Sequence, residues 1–64
     1  MNGYEVTIKG LYQCPYDQYK REEVESKVGV NNFFDAVLEA ITLIKQYEDD
    51  RDIVDITEIS IKEV

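Results

Sequence analysis

The 64-residue sequence predicts an α+β fold. A three-stranded antiparallel sheet, connected strand-strand-helix-strand (ββαβ) in order 2-1-3, carries one amphipathic helix on one face. Three observations predict it. Residues 31–50 repeat their apolar side chains at helical spacing. Residues 4–12 alternate with the period of a strand. Residues 53–64 alternate too, but change phase midway.

In the first strand, Tyr4, Val6, Ile8, Gly10 and Tyr12 share one face, and Glu5, Thr7, Lys9, Leu11 and Gln13 share the other. Gly10 leaves room for a Phe ring or marks a bulge. Pro15, within Gln13-Cys14-Pro15-Tyr16-Asp17, ends the strand in a turn. Residues 15–29 admit two readings. As a helix, Pro15 sits at the first position and Gly29 at the C-terminal cap, but Tyr16, Tyr19, Val24 and Val28 make only a thin stripe. As a strand, Val24, Ser26, Val28 and Val30 alternate on one face and give the first strand a hairpin partner. The strand is the better reading.

In the helix, Phe33, Phe34, Ala36, Val37, Leu38, Ala40, Ile41, Leu43, Ile44 and Tyr47 fall on one arc. Asp35, Glu39, Thr42, Gln46, Asp49 and Asp50 lie on the other side. Asn32 is the expected N-cap, with Asp35 completing a capping-box-like start. Acidic residues at 48–50 oppose the helix dipole and predict fraying within 47–51. The arc is wider than the roughly 100° stripe that covers one sheet, so more than one layer is expected to be buried there. In the last strand, a bulge near Thr57-Glu58 would bring Val54 and Ile56, and then Ile59 and Ile61, to the core side.

Residues 1–64 are expected to form a single domain near the lower size limit, burying about 60% of its unfolded surface. Such domains lean on disulfides, metals or self-association. One cysteine and no histidine remove an internal disulfide and nearly all zinc sites, which leaves self-association. The lone Cys14 suits a reducing, cytoplasmic setting. Met1-Asn2-Gly3 shows neither a leader pattern nor a myristoylation pattern, and no apolar run is long enough to span a membrane. The net charge of −7 disfavours direct contact with nucleic acid or anionic membrane and favours a basic protein surface.

The chemistry-bearing candidates are few. Glu48, Asp49, Asp50, Asp52 and Asp55 form an acidic run that lacks the glycine and spacing of a calcium loop. They could mimic a phosphate backbone for a basic groove, or simply be a solvated helix end. Asp55, between Val54 and Ile56, is expected to face water. Cys14 has no histidine to make it a thiolate, and the glycines are too dispersed for a phosphate loop. No catalytic, cofactor or metal residues are therefore assigned. Tyr4, Tyr12 and Tyr47 fit core edges. Tyr16 and Tyr19 flank the turn, either as strand-forming residues or as interface anchors.

Tyr4-Glu5-Val6-Thr7-Ile8, Asn31-Asn32-Phe33-Phe34-Asp35-Ala36 and Ile56-Thr57-Glu58-Ile59 together give a chain that resembles the small acidic proteins encoded by bacteriophages and prophages. The resemblance spans the chain without a specific motif. It implies a protein of the host cytoplasm that acts by binding a host or viral protein.

The function expected from the sequence is a non-enzymatic interaction module. It is expected to form a homodimer that buries the surplus of the helix arc or an exposed sheet edge. The alternative is a nucleic-acid-mimicking inhibitor acting through residues 48–55.

Overall fold

A computed structural model describes residues 3–64. Met1 and Asn2, part of the start read above for leader and myristoylation patterns, lie outside the described residues. The chain runs β1 (Tyr4–Gln13), β2 (Arg21–Val30), α1 (Phe33–Asp49) and β3 (Ile53–Glu63). The sheet has the order β2-β1-β3, and β1 is antiparallel to both neighbours. This is the ββαβ, 2-1-3 arrangement that the patterning predicts.

Residues 21–30 form a strand because the alternation of Val24, Ser26, Val28 and Val30 matches β1. These residues stand opposite Gly10, Ile8, Val6 and Tyr4. Helix α1 starts where its cap places it. Asn32 is extended (φ −148°, ψ 166°), and its Oδ1 accepts from the Asp35 backbone N–H at 2.8 Å. Its Nδ2 donates to Asp35 Oδ2 at 3.0 Å, so the two side chains bond each other directly. Such a cap is worth about 1 kcal/mol.

The core lies between β1 and α1. Val6 and Ile8 are fully buried beneath Ala36, Ala40 and Leu43, with Tyr4, Val28, Val30, Ile44, Tyr47, Ile56 and Ile61 around the rim. Burial of each large aliphatic side chain contributes roughly 1.5–3 kcal/mol. The opposite face, formed by the odd-numbered residues of β1 and β2 with Glu58, Ser60 and Lys62 of β3, carries no helix and is polar apart from Leu11. There Glu25 bridges Lys9 (3.6 Å) and Lys27 (3.4 Å).

Gly10 makes room for an aromatic ring, but the ring is that of Tyr47, not of a phenylalanine. A Cβ at Gly10 would sit 3.1 Å from the Tyr47 ring and 2.8 Å from the Asp55 carbonyl oxygen. Across this gap Tyr47 and Ser26 share a 3.0 Å hydrogen bond between their hydroxyls. The phenylalanines sit at the other end of the helix, where Phe33 meets Tyr4 edge-on at 5.5 Å.

The phase change in β3 is a bulge. Lys9 pairs with Glu58 and Gly10 with Ile56, which leaves Thr57 unpaired. A second irregularity follows, because Leu11 pairs with Asp55 and Tyr12 with Ile53. It corrects one expectation: Val54 drops out of register and is half exposed instead of joining Ile56 on the core side.

The helix covers only part of the sheet. It meets β1 at Tyr4 and ends over Gly10, so the β1–β2 tip projects beyond it. The radius of gyration, 13.3 Å, accordingly exceeds the about 11 Å expected of a compact chain this long.

Candidate functional site

The feature that the fold leaves unused lies on α1. Ala36, Ala40, Leu43, Ile44 and Tyr47 make the helix's contact with the core. Their neighbours on the wheel, Phe34, Val37, Leu38 and Ile41, form a second stripe at the spacing i, i+3, i+4, i+7. Phe34 is 73% exposed, Leu38 50% and Ile41 48%. Phe33, 55% exposed, edges the stripe at the Tyr4 end. Together these side chains present on the order of 500 Å² of apolar surface, near the top of the range for the largest patch on a monomer.

The acidic residues lie where the helix ends and β3 begins. Glu48 and Asp55 rim a shallow depression of about 380 Å³, also lined by Tyr47, Ile53, Val54 and Ile56. Asp50 and Asp52 serve the turn: Asp50 Oδ1 accepts from the Asp52 N–H at 3.0 Å, and the Asp50 N–H donates to Tyr47 O at 3.3 Å. The Asp52 carbonyl accepts from the Gln13 N–H at 2.7 Å, tying the turn to β1. Asp49 is exposed on the last helical turn, and Asp55 is exposed on β3. Burial raises the Tyr12 pKa, and the nearby carboxylates of Asp52, Asp50 and Glu22 push it the same way.

Tyr16 and Tyr19 occupy the hairpin tip, 96% and 88% exposed. Their loop is held from within. The Gln13 side chain donates to the carbonyls of Asp17 (3.0 Å) and Lys20 (3.3 Å) and accepts from Arg21 Nε (3.0 Å). The Tyr19 N–H donates to Asp17 Oδ1 at 3.0 Å. The tip lies beyond the Gly10 end of the helix, whereas Phe34 sits towards the Tyr4 end. The two tyrosines and the apolar stripe are therefore separate surfaces.

Sequence reasoning placed Phe33, Phe34, Val37, Leu38 and Ile41 in one arc with the core residues. The signal that divides them is the seam Ala36, Ala40, Leu43, Ile44 and Tyr47, which follows helical spacing by itself. Among the described residues, no group of three or more Cys, Asp or Glu side chains is placed to hold a metal ion, and no helix is long and apolar enough to cross a membrane. Comparison with known proteins finds no match to a family model, a curated protein or a solved structure. The fold class, α+β, therefore rests on the topology itself.

Proposed function

We propose that this chain is a non-enzymatic interaction module of the cytoplasm, phage- or prophage-encoded, whose protein partner docks on the outer stripe of α1. The observation that carries the reading is the exposure of Phe34, Val37, Leu38 and Ile41 on a helix already anchored by other residues. Large apolar side chains in a stripe are the usual anchors of helix-mediated recognition.

The test is site-specific photo-crosslinking in the native cell. A crosslinker at Leu38 is expected to capture a protein that one at Thr42, on the polar side, does not. Leu38→Asp should then weaken binding of that protein about tenfold or more without lowering the melting temperature. Equal capture from both positions would remove the stripe from consideration.

A second reading follows from Glu48 and Asp55 sharing one apolar-floored depression, which suits a Lys or Arg side chain of a nucleic-acid-binding protein. It predicts steep weakening with salt and with Glu48→Lys plus Asp55→Lys, and it fails if binding is salt-insensitive.

A further inference from the structure

The two borders of the sheet differ. Strand β3 is interrupted at Thr57 and Val54, whereas β2 pairs with β1 without irregularity from Arg21 to Val30. The Cys14 N–H donates to the Lys20 carbonyl at 3.1 Å, which fixes the phase of that ladder. With the register 14 opposite 20, 12 opposite 22 and so on, the even-numbered residues of β2 turn their N–H and C=O groups towards β1. Arg21, Glu23, Glu25, Lys27 and Gly29 turn theirs outward, a border without a bulge and, among the described residues, without a strand partner.

We propose that this border pairs antiparallel with the β2 of a second copy, about a two-fold axis through Ser26. The sequence at the axis, Val24-Glu25-Ser26-Lys27-Val28, is its own complement. Read against itself in reverse, Glu25 stands opposite Lys27 of the second copy twice over. Val24 stands opposite Val28, and Ser26 opposite Ser26. Glu25 and Lys27 are also the residues whose backbone groups point outward, so the charge pair and the hydrogen-bonded pair coincide.

Sliding the register by two residues destroys the match. One direction sets Glu25 against Glu25, and the other sets Lys27 against Lys27. Like charges directly opposite are destabilising, so the charge pattern selects one register. Even-numbered residues pair with even-numbered ones, which keeps both helices on the same face of a six-stranded sheet. The Tyr47–Ser26 hydrogen bond then lies beside the axis in each copy. The stripe on α1 is not used, so this pairing stands or falls independently of the partner reading above.

The decisive experiment is light scattering on charge-swapped proteins. The unmodified chain is expected to be a dimer at ~0.1 mM, in the range where weak dimers form. Glu25→Lys alone and Lys27→Glu alone should each weaken the dimer about tenfold or more, because each places like charges face to face. Mixing the two variants should restore a one-to-one heterodimer, which also shows that both are folded. In the unmodified protein, amide exchange at Glu23, Glu25, Lys27 and Gly29 should slow as concentration rises. A monomer at ~1 mM, amides indifferent to concentration, or a dimer that survives both single swaps and dissolves only on Leu38→Asp would overturn the proposal.

Discussion

The two sides of α1 reverse the usual assignment of size to burial. The residues of the inner side that are buried outright are Ala36, Ala40 and Leu43, with Ile44 and Tyr47 half-buried beside them. The outer side carries Phe34, Leu38 and Ile41. Small residues let the helix lie close to β1, where Val6 and Ile8 supply the bulk that fills the layer. The lesson is that bulk is placed on the strand side of this core, so bulk on the far side of the helix contributes little to folding the monomer. Its cost in exposed apolar surface needs another cause, and the partner proposed above would supply one.

The sharpest way to break this comparison is to truncate an isoleucine on each side. Ile8→Ala removes a fully buried side chain and should cost about 3 kcal/mol, comparable to the whole stability of a domain this small. Urea denaturation is expected to find it largely unfolded, and Ile8→Val should lose about 1 kcal/mol. Ile41→Ala should change stability by no more than about 0.5 kcal/mol. Equal losses at Ile8 and Ile41 would mean that both faces are core. A smaller effect is expected at the cap that both faces share: Asn32→Ala should lower stability by about 1 kcal/mol, read from the same denaturation curves.

The smallest effect lies at the boundary between the faces, where Tyr4 meets Phe33. Its hydroxyl donates to Glu63 Oε2 at 3.2 Å. That hydrogen bond, then burial, then the Glu63 charge raise the Tyr4 pKa above its usual value near 10. Ionisation is thus harder in the folded chain than in the unfolded one. The contribution is complete below about pH 10 and is lost as pH climbs through the raised value. Stability should therefore fall in alkali, and Tyr4→Phe should reduce that slope while Tyr12, shifted the same way, retains its own part.

Much of this architecture was legible in the chain because period and capping act locally. The alternation of 4–12, the Asn32 start and the phase break in β3 each involve neighbouring residues. Arg21–Val30 was harder, because its strand state depends on pairing with β1, and Pro15 and Gly29 also fit a helix. The irregularity at Val54 had no local sign. It follows from the tie between Asp52 and Gln13, residues far apart in sequence. The division of the helix arc was hidden for a related reason. Composition shows how much apolar surface α1 carries, but only the width of the sheet decides how much it can cover. Of the acidic residues, Glu48, Asp49, Asp50 and Asp55 are exposed and Asp52 is half-buried, Tyr16 and Tyr19 lie in the turn and in no strand, and folding brings only Glu48 and Asp55 to a common depression.

The paired irregularities of β3 bear on how far assembly can proceed. A layer with two straight flanks could recruit copy after copy and lengthen into a fibre. Here one flank is kinked at two places, so a copy joined through the other flank offers newcomers no smooth seam. Growth would then halt at a closed pair, and a variant that deletes both Val54 and Thr57 to straighten the kinked flank is the form in which open-ended polymerisation would first be sought.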